Sequence, residues 1–194
     1  MLFTFAGPPV RIFVDGEVVL RSFEVDDARS LFELTEACRP YLRQWLPWVD
    51  STKNLDDTKL FVEGSLRQLA ANNGFQAGIW RGEDLLGAIG YHRMDWANRA
   101  ASVGYWLGEA HQGRGTMTKA CSALTSHAFS GMGLHRIEIR CAVENRKSRA
   151  IPERLGFRNE GLIRDAEWLY DRFVDHVVYG MLETEWHSAR TDHR

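Results

Sequence analysis

What the sequence has little of narrows the field first. Its three cysteines, Cys38, Cys121 and Cys141, lie far apart with no CxxC pair. That excludes a disulfide framework or a zinc ribbon, suits a reducing compartment and leaves no metal site to expect. Neither sign of charge is in excess: 24 basic residues face 26 acidic ones, for a formal net charge of -2. No polybasic field exists to hold a nucleic acid or an anionic membrane, so neither is expected as a partner. No apolar run approaches the length of a membrane span, and the N-terminus carries no basic stretch followed by an apolar one, so a soluble cytoplasmic protein is expected. Internal repeats and low-complexity segments are also missing. The whole of 1–194 therefore reads as a single domain, large enough to bury a substantial core.

What is present alternates between strand and helix patterns. After an irregular Met1–Pro9, Arg11–Val14 and Glu17–Arg21 predict a hairpin around Asp15-Gly16. A helix follows over Asp26–Cys38, with Asp26 as its cap and Pro40 as its stop. A second helix is expected from Leu55 to Ala71. Strands are expected at Phe75–Arg81, Leu85–Arg93 and Ala101–Leu107, a helix from Thr116 to about Ser130, a strand at His135–Ala142, a helix at Lys147–Leu155 and final strands from Phe157 to Leu182. This order argues for an α+β domain, a mixed and mostly antiparallel sheet of about seven strands with helices on both faces.

The chain is organised around Gly104–Ala120. An apolar strand pattern empties through Gln112-Gly113-Arg114-Gly115 into a helix whose stripe is Met117, Ala120, Cys121, Leu124 and Ala128. The first amides of such a helix have no intrahelical partner, the macrodipole is positive there, and glycines admit a bulky anion. Between the first two helices, Tyr41, Trp45 and Trp48 fall within a short segment bent by Pro47. Such aromatic weight serves either as a core-plugging turn or as one wall of a substrate pocket.

The loop Gln112-Gly113-Arg114-Gly115-Thr116, placed after Gly-Tyr-Trp-Leu and before a helix, resembles the acyl-CoA pyrophosphate loop of the GNAT superfamily of N-acetyltransferases. The later Asn145-Arg-Lys-Ser148 followed by Gly156-Phe157 is similar to the superfamily's second landmark. The spacing and flanks resemble the RimJ/RimL branch, which acetylates N-terminal α-amines of ribosomal proteins.

The resemblance implies a sheet whose strand Ala101–Leu107 splays from His135–Ala142 to form an acyl-CoA cleft. It implies acetyl-CoA as cosubstrate, held by Trp106, Leu107, Gln112, Gly113, Arg114, Gly115, Thr116, Met117, Asn145 and Ser148, with an amine as acceptor. Ser148 would protonate the departing thiolate, a backbone amide near Leu107 would face the thioester carbonyl, and Tyr41, Trp45 and Trp48 would line the acceptor side.

Three residues depart from the pattern or strain it. Met117 stands where the superfamily motif asks for Gly or Ala. Ser102 stands where relatives in the branch often carry a glutamate that serves as base. Pro152 lies four residues after Ser148 and cannot donate to its carbonyl. The base is then sought among His92, Glu109, His111 and Glu138, with His92 titrating in the most useful range. Two alternatives to N-terminal acetylation stay open: acetylation of a small amine such as an aminoglycoside, polyamine or amino acid, and a non-catalytic acyl-CoA-binding regulatory module. Seven tryptophans suggest a homodimer.

Overall fold

The computed structural model describes residues 10–191. The irregular Met1–Pro9 stretch lies outside them. Strands β1 (Arg11–Phe13) and β2 (Val18–Ser22) form the expected hairpin, and Asp15 Oδ1 accepts from the amides of Glu17 and Val18 at 3.0 Å each, which closes the turn. Helices α1 (Ala28–Leu42) and α2 (Leu55–Ala70) follow. Then come β3 (Gln76–Arg81), β4 (Asp84–Asp95), β5 (Ala100–Leu107), α3 (Thr116–Ser126), β6 (Arg136–Ala142), α4 (Arg146–Arg154), β7 (Arg158–Leu169), β8 (Arg172–Leu182) and α5 (Glu183–Thr191).

The eight strands among the described residues, one more than expected, make a single sheet in the order β1-β2-β3-β4-β5-β6-β8-β7. Its pairings are antiparallel except β5 with β6, which run parallel. The α+β expectation of a mixed sheet covered by helices on both faces holds. On one face Met117, Ala120, Cys121 and Leu124 of α3, Ile151 of α4 and Trp186 of α5 pack with Leu20, Ile79, Ile89, Val103 and Ile137 of the strands. On the other, Ala28 and Leu31 of α1 and Val62 of α2 cover Trp80, Leu85 and Ala88. β4 is buried on both sides for most of its length, which is why its sequence shows no alternation.

Four boundaries differ from the sequence expectation. Helix α1 runs through Pro40 to Leu42, because the proline costs only its own donor near the helix end while Leu42 gains full burial against Val49. Asp26 does not cap α1. Asp27 instead holds the amide of Glu24 at 2.7 Å and the guanidinium of Arg21 in the preceding short 3₁₀ turn. Helix α3 ends at Ser126 and passes into a π-helical turn over His127–Gly131. Helix α5 had no sequence signal strong enough to be read. Its Trp186 is fixed by burial against Phe129 and Phe157, contacts made only in the folded chain.

Candidate active site

The parallel pairing of β5 with β6 covers Ala100–Val103 against Arg136–Ile139 and stops there. Beyond it, Gly104–Leu107 and Arg140–Ala142 part, giving the expected splay. The Gly108 amide donates to the Leu86 carbonyl at 2.9 Å, and Leu107 lies opposite Gly87. Antiparallel ladders alternate, so Leu107 and Tyr105 turn their own backbone groups away from β4 and toward the gap. Gln112 Nε2 reaches the Leu107 carbonyl at 3.5 Å.

Two chambers open on this gap. The first, about 820 Å³, is lined by Tyr105, Trp106 and Leu107 from β5, by Gln112, Gly113, Gly115, Thr116 and Met117 from the loop and α3, and by Asn145, Ser148 and Ile151 from α4. Gly113 and Gly115 both take φ of 75°, a left-handed conformation that favours glycine, and a Cβ there would meet nothing within 4 Å. The loop thus turns into α3 with its first amides uncovered, a cradle for an anion. Exposed Arg114 is not among the residues lining this chamber; the cations that do line it are Lys119, Lys147 and Arg154. Lys147 Nζ also reaches Gln112 Oε1 at 3.3 Å and lies over the Tyr41 ring. The position of Lys119, one turn into α3, was a legible signal for a second anion contact; that of Arg154 was not, because it arrives through the packing of α4.

The second chamber, about 640 Å³, lies on the other side of the gap and is lined by Trp45, Trp48, His92, Ser102, Gly104, Glu138, Glu167 and His176 among others. Trp45, Leu46, Tyr105, Asn145 and Ser148 border both chambers. The aromatic segment is therefore divided: Tyr41 serves the first chamber, Trp48 the second, and Trp45 both. Trp48 packs on Trp106, with ring centroids 6.0 Å apart. The segment is fastened from outside by Tyr170 at the β7–β8 turn, whose hydroxyl donates to the Leu46 carbonyl at 2.6 Å beneath the Arg43 guanidinium. Nothing in the sequence marked Tyr170 for this contact.

Helix α4 places the second landmark. Asn145 caps it, its Oδ1 accepting from the Ser148 amide at 3.2 Å, and Arg149 Nη1 donates to the Val143 carbonyl at 2.8 Å. Pro152 does lie inside this helix, and the Ser148 carbonyl that it leaves without a helical donor accepts instead from the Tyr105 hydroxyl at 3.0 Å. Burial, with nearby thiols adding to it, holds the Tyr105 phenol well above its usual range, so it stays a donor. Ser148 Oγ lies 3.3 Å from Cys141 Sγ at the junction of the chambers.

His92 owes its place to an irregularity. Tyr91 opposes Val103 and Arg93 opposes Ser102, so His92 is an extra residue in β4, a bulge of the kind that re-aims a side chain. Its ring lies against Gly104, where any Cβ would come within 2.1 Å of His92 Cε1. Desolvation lowers its pKa, with the charge of Glu167 opposing, so the imidazole is held neutral and able to accept a proton. Of the other candidates, Glu138 sits directly across from Ser102 but is engaged by Arg136 and Arg140, while Glu109 and His111 line the first chamber. No group of metal-binding residues occurs among the described residues.

The comparisons with known proteins agree with this geometry. The family described as Acetyltransferase (GNAT) domain matches residues 17–158. The YdaF protein of Bacillus subtilis is 35% identical over 91% of this chain and 97% of its own. The ribosomal-protein-serine acetyltransferase of Escherichia coli is 30% identical over 88% of this chain and 96% of its own. Among solved structures, RimL, the ribosomal L7/L12 alpha-N-protein acetyltransferase, in complex with coenzyme A, superposes with a TM-score of 0.86 at 26% identity, covering 89% of this chain and 98% of that one. A glycine-turned anion cradle, an open strand edge and a second chamber behind it are what an acetyl-CoA-dependent N-acetyltransferase requires, and the chain belongs to the GNAT family of acetyltransferases, in its RimJ/RimL-like branch.

Proposed function

We propose that the protein transfers the acetyl group of acetyl-CoA directly to the N-terminal α-amine of a protein, foremost a ribosomal protein. The observation that carries this reading is the meeting of the two chambers at Tyr105, Asn145 and Ser148, through a gap where β5 keeps its backbone groups free. The names of the relatives favour a ribosomal acceptor.

Acetyl-CoA supplies a thioester activated toward amines. The loop amides after Gly113, with Lys119, Lys147 and Arg154, hold its phosphates, and the edge at Tyr105 and Leu107 pairs with its pantetheine amides. The Leu107 amide faces the carbonyl oxygen where negative charge develops. On the other side His92 takes the proton from the acceptor's ammonium. The nitrogen lone pair then forms the C–N bond, the C–S bond breaks as Ser148 Oγ gives its proton to the departing sulfur, and the second proton lost from the new amide nitrogen passes through water to restore the Ser148 hydroxyl. An α-amine, with a pKa of about 7.7–8.0 against about 10.4 for lysine, is the acceptor that a neutral histidine serves best.

Incubation with acetyl-CoA and short peptides beginning with Ser or Ala, followed by thiol detection and mass spectrometry, tests the reading. Acetylation at the peptide N-terminus is expected. Thiol release only with polyamines or aminoglycosides would replace the acceptor, and acetyl-CoA binding without thiol release on any amine would leave a regulatory module. We place the enzyme in the cytoplasm. We also place a homodimer contact at the exposed Leu162, Trp168 and Phe173 of the β7–β8 hairpin, so that Trp168→Glu lowers the mass seen by light scattering.

A further inference from the structure

The second chamber continues past His92, along β5. Ala101 and Val103 turn into the core, so by the two-residue period of a strand Ala100, Ser102 and Gly104 face the chamber and floor it with small side chains. Its walls are charged: Arg93 and Asp95 rise from β4 on one side, Arg136, Glu138 and Arg140 from β6 on the other. Most of these groups are already engaged. Asp95 accepts from the Asn98 amide at 3.0 Å and, with its other oxygen, from the Asn98 side chain at 2.9 Å, closing a turn. Arg136 donates to Glu160 through both terminal nitrogens and to Glu138 Oε2 at 3.2 Å, and Glu138 Oε1 accepts from Arg140 Nε at 2.6 Å. The remaining carboxylate of the chamber, Glu167, sits 3.5 Å from His176, past the Ala142 end of β6.

Arg93 differs. Among the described residues its guanidinium makes no hydrogen bond and no ion pair. Its charge reaches Asp95 through space, but both oxygens of Asp95 belong to Asn98. The β4 bulge brings it there: with His92 as the extra residue, His92 and Arg93 both emerge exposed into the chamber, where strict alternation would have sent one of them inward. Ser102 lies directly opposite Arg93, and Glu138 opposite Ser102, so the three form one row across the sheet. At about 4.8 Å per strand, Arg93 and Glu138 stand roughly 10 Å apart in that row. Ser102 is too short to fill the space between them, and a hydroxyl cannot neutralise a guanidinium. The row lacks a carboxylate beside Arg93.

We infer that the acceptor supplies that carboxylate: the protein selects N-terminal segments with an acidic side chain at their third residue, and Arg93 is the residue that reads it. The inference rests on the amine-acceptor reading above. With the amine at His92, beside Gly104, an extended chain laid along β5 covers the two-residue step from Gly104 to Ser102, roughly 6.6 Å, with two residues of its own. Its third side chain then stands level with Arg93, whose planar fork takes a carboxylate through two parallel N–H bonds. The small floor leaves room for the peptide backbone. Arg140, engaged through Nε alone among the described residues, adds positive potential from the far wall. Polyamines and aminoglycosides, which carry further cations, are repelled at the same place.

Three peptides that differ only at the third residue, Ser-Ala-Glu, Ser-Ala-Gln and Ser-Ala-Lys with a common tail, test this. They are titrated calorimetrically into the full-length protein loaded with coenzyme A, and each is also offered with acetyl-CoA in the transfer assay. Wild type is expected to bind the Glu peptide roughly five-fold more tightly than the Gln peptide, the scale of a half-exposed ion pair. The Lys peptide should bind most weakly, and the spread should shrink as salt is added. Arg93→Gln should level the three and Arg93→Glu should reverse their order, a result that loss of fold cannot produce. Ser102→Glu, which keeps Arg93 but gives it an internal partner, should level them too. Equal binding of the three by wild type, an order that survives Arg93→Glu, or an order abolished by Arg140→Gln alone would overturn the inference, and acetyl transfer to all three would then leave the amine-acceptor reading intact. A preference for the Glu peptide with no transfer to any of them would instead sink the transfer reading and leave the Arg93 site standing.

Discussion

The Tyr105 hydroxyl donates to the Ser148 carbonyl at 3.0 Å, filling the place of the helical donor that Pro152 lacks. A helix-breaking residue and a tyrosine on the neighbouring strand are thereby coupled, and the coupling fixes the residue assigned to the leaving sulfur. Tyr105→Phe leaves this part-buried carbonyl without its donor and should cost about 1 kcal/mol, the scale of one net hydrogen bond. In a Pro152→Ala background, where residue 152 regains its N–H, the same change should cost clearly less. Urea unfolding of the four proteins measures the difference as a coupling energy, and strict additivity would show that the bond has no such role.

Ser148→Ala should lower kcat by roughly 10²-fold or more, as expected for loss of a general acid, with little change in the KM for acetyl-CoA. The hydroxyl adds nothing to the helix cap, which uses the Ser148 amide and Asn145 Oδ1. Stability should therefore be nearly unchanged, and a kcat within a few-fold of wild type would remove Ser148 from the proposed chemistry.

Gly104→Ala tests the placement of His92 without touching it. The added methyl would come within 2.1 Å of the imidazole and displace it from β5. Acetyl transfer to peptide should fall by roughly the same factor as in His92→Asn, on the order of 10²-fold, and the double variant should be no worse than either single one. Steady-state kinetics at saturating acetyl-CoA reads this directly.

Contacts to the cosubstrate divide by position. Lys119→Ala and Arg154→Ala should each raise the KM for acetyl-CoA several-fold, an effect that shrinks as salt is added, because both side chains line the first chamber. Arg114→Ala should change it little, although Arg114 is the cation inside the loop motif. Lys119 also ion-pairs with Asp15 at 3.0 Å, so Asp15→Asn should free it and lower the KM.

Acid should destabilise the protein through its histidines. Burial lowers the pKa of both His92 and His127 below the ordinary 6.5. A group with a lower pKa when folded binds fewer protons folded than unfolded across that window, so stability rises with pH through it. The contribution is intact above about 6.5 and is lost as pH falls toward the lowered values. His127 packs edge-on to Phe75 away from the chambers, so Gly104→Ala should leave its share untouched. Urea midpoints between pH 7 and pH 5 give the slope.

The glycine turn into α3 and the hairpin at Asp15 were legible because each is decided by neighbouring residues. Helix α1 was misjudged at Pro40, where burial of Leu42 outweighs a local penalty. The first chamber followed from motif order, and the splay from the resemblance. The second chamber was only half legible: His92 and Trp48 could be named, but Glu167 could not. Its position depends on three residues opposing one between β7 and β8, a register that forms only when the strands pair. Tyr170 escaped for the same reason, being 124 residues from its partner Leu46.

The ladder that stops at Val103 and Ile139 makes the protein's own endurance depend on its cosubstrate. Amides at Tyr105 and Leu107 have no strand on that side, so in the empty protein they should exchange with deuterium far sooner than those of β4. Filling the gap adds a temporary strand at the centre of the sheet, and the free energy of that occupancy adds to the folded state by mass action. The melting temperature of the enzyme is thereby a readout of acyl-CoA supply, and starvation for acetyl-CoA would leave it both idle and easier to unfold.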